Sequence, residues 1–233
     1  MAKNQQRNLL TSLVLVVPLF IIYQVGVLFT LPMLNGADFV TTLLLRDLHL
    51  SIPAYLAFVG GVVVVFLVGL SRLKKRQHFQ TGVIVPVLLE STIYALTMGS
   101  LIVLVMTELF RFSPGLAGGV AGSSVLGRLV MSIGAGLYEE TVFRLGLLTG
   151  LVAIFERALG WRRWIAVMAA FLASSFLFSA MHHIPPHGDP LSLGVFTFRL
   201  LAGVFFGLLF WFRGFAVAVY THAIYDVYVL LIR

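Results

Sequence analysis

Glu139 and Glu140 stand side by side in an apolar stretch, Leu126 to Leu151, that is long enough to cross a bilayer, and Arg144 follows one helical turn later. A carboxylate at the bilayer centre costs about 2.5–3.5 kcal/mol on insertion scales. Glu140 and Arg144 are four apart, so they share a helix face with the acid on the favoured N-terminal side, and they can neutralise each other. Glu139 points about 100° away on a regular helix. It lacks a partner on its own helix, which suits a group that takes up and releases a proton. The spacing therefore assigns Glu139 to chemistry and Glu140 to support. The bland alternative is a buried ion network that only fixes packing.

Two later clusters carry further chemistry. Phe178-Ser-Ala-Met-His182 ends one apolar run, and Phe178 and His182 share a face. A single histidine near a membrane end is ordinarily interfacial or packed, and His183 and His187, leading into the Pro185–Pro190 loop, fit that description. His222-Ala-Ile-Tyr-Asp226 lies in the last apolar run. An Asp beside a His can fix its tautomer, or the pair can simply join two helices. Polar groups in membranes face the bundle interior, so the three clusters are expected to converge. A Glu with two His can activate water for hydrolysis. The same three residues, Glu139, His182 and His222, can alternatively hold Zn2+. No Ser-His-Asp pattern or phosphate-cradling glycine loop is present, and Ser174 and Ser175 have no signature around them.

The elements that must position these residues are membrane helices. The chain has 233 residues, 60% of them hydrophobic and 11% charged, with a mean hydropathy of +1.02. Soluble domains carry roughly 25% charged residues. The longest polar stretch is Ser71 to Thr81, so a single membrane domain over 1–233 is expected. There is no cysteine, hence neither disulfide nor thiolate metal site. The net charge of +7 reflects Lys and Arg flanking membrane spans rather than a nucleic-acid partner. Leu9 to Leu34 lacks a small-residue cleavage site and reads as a retained span. Apolar runs predict seven spans, at about 9–31, 52–70, 83–107, 126–151, 164–183, 193–212 and 215–232. The fold class is thus all-α, a polytopic membrane helix bundle around an intramembrane cavity. Ten Lys and Arg fall at one end of the spans (Lys3, Arg7, Arg72, Lys74, Lys75, Arg76, Arg157, Arg162, Arg163, Arg213). Five fall at the other (Arg46, Arg111, Arg128, Arg199, Arg233). This puts the N-terminus in the cytoplasm. The compact chain points to the cytoplasmic membrane of a prokaryote.

Small-residue pairs Gly203/Gly207 and Gly146/Gly150 are expected to pack helices closely. Gly134 and Gly136, one turn before the glutamates, either pack or leave room for a substrate backbone. Pro114–Ser124 reads as a loop. One conflict stands out. At ~1.5 Å per residue, Glu139 lies roughly 20 Å from the cytoplasmic end of its span and His182 about 27 Å, but His222 only about 11 Å. The depths match if Arg213-Gly214 is a turn inside a vestibule, with the last span starting deeper.

Together the motifs resemble the CPBP family of CAAX-processing and bacteriocin-processing intramembrane proteases, also called Abi. The family pattern runs EExxxR, FxxxH, then HxxxN or HxxxD. Here it reads Glu139-Glu140-Thr-Val-Phe-Arg144, Phe178-Ser-Ala-Met-His182 and His222-Ala-Ile-Tyr-Asp226, in order and each on an apolar span. The lead-in Gly207-Leu-Leu-Phe-Trp-Phe-Arg-Gly is also similar. The resemblance covers about Leu126 to Asp226, a CPBP-like core within 126–232. It implies an intramembrane endopeptidase acting on a membrane-associated protein or peptide. Glu139 with His182 would activate water, His222 with Asp226 would stabilise the oxyanion, and Glu140 and Arg144 would hold Glu139 in place. An ionised Asp cannot donate to an oxyanion, although it can orient a protonated His222. The HExxH helix of zinc proteases is absent, and Arg144 sets a cation beside the site. Both favour no cofactor, with Zn2+ near Glu139, His182 and His222 as the alternative. Two other classes use similar residues. A proton-coupled transporter would show internal repeats, which are not evident. A non-catalytic membrane partner, such as a bacteriocin immunity protein, would not need the motifs intact.

Overall fold

The computed structural model describes residues 8–111, 124–184 and 190–232. The described residues are helical with no strand. Helix α1 (Leu9–Thr30) starts where the Asn8 side chain accepts the Thr11 N–H at 3.0 Å. A non-helical segment then leads to a short turn, Phe39–Thr41, capped by Asp38. Helix α2 (Ile52–Lys74) follows, with a proline in its first turn. Helix α3 (Ile84–Leu104) is lengthened by a wide π turn, Val105–Leu109. Helix α4 is the continuous helical run 125–158, capped by Ser124. Helices α5 (Arg163–Met181), α6 (Leu193–Arg213) and α7 (Phe215–Val227) complete the bundle. The expected loop at Pro114–Ser124 lies outside the described residues apart from Ser124.

All seven expected runs are helical. Five are long and apolar enough to cross a membrane: Leu9–Thr30, Ile52–Lys74, Thr81–Leu109, Arg163–Met181 and Leu193–Arg213. The last, Phe215–Leu231, is a shorter apolar helix. Helix α4 differs in kind, because π turns at Ala135–Glu139 and Thr141–Leu148 interrupt it where its charged residues sit.

The core forms around α7. Its small and β-branched residues from Phe215 to Val219 are almost fully buried, so neighbouring helices approach it on several sides. Ser91 of α3 donates to the Val217 carbonyl, and Tyr220 donates to the Leu15 carbonyl of α1. Arg128 of α4 donates to the carbonyl of Leu230 just beyond it. Helix α2 lies at the periphery, burying only Tyr55 and Leu70. Its exposed Val, Leu and Phe side chains suit contact with lipid, where a soluble protein would carry polar groups.

Candidate active site

Glu139 and Glu140 sit where the two π turns of α4 meet. Wide turns of this kind recur at functional sites. Glu140 is fully buried. Arg144 Nε lies 3.2 Å from its Oε2, as the spacing predicts. The guanidinium also donates to the Gly203 carbonyl at 3.0 Å and lies 4.3 Å from the Phe178 ring centroid, a cation–π contact. One arginine thereby ties α4 to α5 and α6. Further contacts of this kind offset the cost of burying an ion pair, although Arg144 Nη1 has no hydrogen-bond partner among the described residues.

The other oxygen of Glu140 faces His222. His222 Nδ1 lies 2.8 Å from Glu140 Oε1. Asp226 Oδ2 stands 3.7 Å from Nε2, on the opposite side of the ring. Asp226 thus lies beside His222 as the spacing predicts, and Glu140, 82 residues away, occupies the Nδ1 position. The ring is held flat against Phe206, at 4.3 Å between centroids and 14° between planes.

His182 caps the end of α5. Its Nδ1 is 2.7 Å from the Phe178 carbonyl oxygen. A carbonyl only accepts, so Nδ1 carries the hydrogen, and Nε2 faces Glu139 Oε2 at 3.4 Å. Phe178 thus serves twice, with its ring under Arg144 and its carbonyl behind His182. His222 Nε2 lies 3.9 Å from the same Glu139 oxygen. The three motifs converge, with Glu139 at their centre. Side-chain exposure rises from 10% at Glu139 to 21% at His182 and 26% at Asp226, so the cluster opens on the side of the latter two.

The depth conflict is resolved at the α6–α7 turn. Gly214 adopts φ +103°, a left-handed conformation suited to glycine, and is buried. Arg213 makes a bidentate ion pair with Glu90, its Nη2 2.7 Å from Oε2. Glu90 is six residues inside α3, about 9 Å along its axis. The turn therefore lies within the bundle beside a recess of about 240 Å3, whose lining includes Ser12, Thr149 and Gly214. Starting deeper, α7 brings His222 level with Glu139.

The glycines divide. A Cβ on Gly136 would stand 2.6 Å from the Val219 carbonyl oxygen, and one on Gly134 would meet Tyr23 at 2.3 Å. Both are packing positions. Gly203 and Gly207 abut Ser175 and Phe171, as expected. Gly146 and Gly150 correct the expectation: Gly150 has nothing within 4 Å, and Gly146 meets only the Thr141 carbonyl of its own helix. His183 stacks on Phe196, away from Glu139, and His187 lies outside the described residues. Among the described residues no group of three or more His, Asp or Glu is arranged to hold a metal ion.

Two residues were not singled out by sequence. Asn35, in the segment between α1 and α2, donates from Nδ2 to Glu139 Oε1 at 3.3 Å. No spacing rule connects it to α4. Glu90 carried a legible signal, an acid within an apolar span.

Residues 121–228 match the family described as type II CAAX prenyl endopeptidase, Rce1-like. This segment is a CPBP-family domain. The chain matches no curated protein and no solved structure. The CPBP match spans α4 to α7 and all three motifs, while α1 to α3, with Asn35 and Glu90, lie outside it. The match supports a protease of CAAX type for this segment, and the five long apolar helices support a multi-pass membrane protein.

Proposed function

We propose that the chain is an intramembrane endopeptidase in which Glu139 and His182 activate a water molecule and His222, with Asp226, stabilises the oxyanion. The observation that carries this reading is the 3.4 Å separation of Glu139 Oε2 and His182 Nε2. With the His182 ring neutral and its hydrogen on Nδ1, both facing atoms are acceptors. Two acceptors that close need hydrogen between them, and a water donating one O–H to each supplies it. As that water attacks a peptide carbonyl, its proton passes to Glu139 and then to the leaving amine, and the C–N bond breaks. His222 has acceptors at both nitrogens, Glu140 at Nδ1 and Asp226 at Nε2. A ring so placed donates from Nε2 to the developing oxyanion. Glu140 and Arg144 hold His222 and Glu139 in register.

The reaction as proposed needs no metal, since Arg144 already supplies the buried positive charge beside the carboxylates. We place the protein in a prokaryotic cell membrane with its N-terminus in the cytoplasm, on the ten-to-five distribution of basic residues.

The test is cleavage of an internally quenched, prenylated peptide ending in Cys, two aliphatic residues and any residue, by purified protein. Wild type should cleave it and Glu139→Gln should not, with cleavage persisting in protein shown by metal analysis to be zinc-free. Equal rates for wild type and Glu139→Gln would refute the assignment. Loss of activity on chelation, restored by Zn2+, would replace the metal-free mechanism.

A further inference from the structure

Asn35 lies outside every motif and outside the family match, yet it touches the residue at the centre of the site. It is 4% exposed and belongs to no helix. Its Oδ1 accepts the Ala37 N–H at 2.8 Å, and its own backbone N–H donates to the Tyr23 hydroxyl. The amide is thereby fixed with Oδ1 turned to its own segment and Nδ2 turned to Glu139 Oε1, 3.3 Å away. Gly134 permits the approach, because a Cβ there would stand 3.2 Å from Asn35 Cβ. Nδ2 carries two hydrogens, and among the described residues only one is engaged.

Position 226 supplies the contrast. The last motif ends in Asp, and an ionised Asp has no hydrogen to donate. We propose that Asn35 provides the side-chain amide N–H of the reaction centre, holding Glu139 Oε1 so that Oε2 faces the water, and donating to the tetrahedral oxyanion in place of residue 226. The proposal rests on the endopeptidase reading. It assigns a functional role to the α1–α2 segment.

The test uses the quenched prenylated peptide and four proteins: wild type, Asn35→Asp, Asp226→Asn and the double variant. Asn35→Asp preserves shape and the acceptor for Ala37 but removes the donor. Loss of one oxyanion donor typically lowers kcat about 10²–10³-fold. Asn35→Asp should show a fall of that size with KM within about two-fold of wild type, the pattern of an interaction made only in the transition state. Adding Asp226→Asn should recover at least a tenth of the lost rate, because the amide returns on the neighbouring helix. Should Asn35→Asp not fold, Asn35→Leu carries the same comparison, since its side chain is close in shape and has no hydrogen-bond donor. A variant with wild-type kcat, a change confined to KM, or no recovery in the double variant overturns the Asn35 assignment alone. A wild type no more active than Glu139→Gln overturns the endopeptidase reading, and Asn35 with it.

Discussion

At the scale of single residues, the site is organised by what each polar atom faces. Glu140 lies between Arg144 and His222, at 3.2 and 2.8 Å, while Glu139 Oε2 faces the Nε2 atoms of His182 and His222 at 3.4 and 3.9 Å. The two adjacent carboxylates thus have different tasks. Glu139→Gln and His182→Ala should each lower turnover by about 10²–10⁴, the usual contribution of a positioned acid or base, with little change in thermal stability. Steady-state kinetics and a melting curve on the same preparations check this. Arg144→Leu should behave oppositely. It strands the Glu140 carboxylate in the core, which costs about 3–5 kcal/mol, and the first sign should be loss of folded protein in detergent. Much of this was legible before any coordinates. Ionisable groups in apolar spans announce themselves, and i,i+4 spacing correctly paired Glu140 with Arg144. The same rule paired His222 with Asp226, which the structure also shows, but it missed Glu140 at the other ring nitrogen. It sees only neighbours on one helix, and Glu140 reaches His222 from another.

At the scale of elements, the site depends on how α7 is seated. Its start is pinned by the buried left-handed Gly214 and by the Arg213–Glu90 pair, and its face beside α4 requires Gly136. Gly136→Ala would press a methyl group against backbone atoms of α7, which cannot rotate away as a side chain can. Overpacking of this kind costs about 1–3 kcal/mol, and displacement of His222 should add at least a ten-fold loss of turnover. Gly150→Ala meets open space and should leave both rate and melting temperature unchanged, within about 0.5 kcal/mol. The two GxxxG patterns look alike in sequence; only the structure shows which one has a helix against it. The turn at Arg213-Gly214 was legible for a different reason. Counting rise per residue left His222 too shallow, and a buried turn was the repair that kept the three motifs together. Asn35 was not legible, because an Asn between two spans is most simply a turn residue, and its contact with Glu139 exists only once α1 packs on α4 at Gly134.

At the scale of the whole molecule, the bundle is asymmetric. Basic side chains crowd one end, whereas His182, Asn35 and Asp226 lie towards the other. In the proposed orientation, with the basic end cytoplasmic, the site would lie nearer the outer half of the membrane. The absence of native cysteine makes this directly measurable. Asp47→Cys should react with a membrane-impermeant maleimide in intact cells, whereas Lys75→Cys should react only after permeabilisation; the reverse pattern would invert the topology. The all-helical bundle was legible from apolar run lengths, with five of the seven expected spans long and apolar enough to cross a membrane among the described residues, but the π turns in α4 were not, since hydropathy does not report local helix pitch. The central claim, that this bundle cuts peptide bonds at Glu139, is tested most directly by comparing the termini of all membrane proteins in cells carrying wild-type or Glu139→Gln protein. At least one new terminus should appear with wild type and be missing with Glu139→Gln. Identical termini in the two, at equal expression, would contradict it.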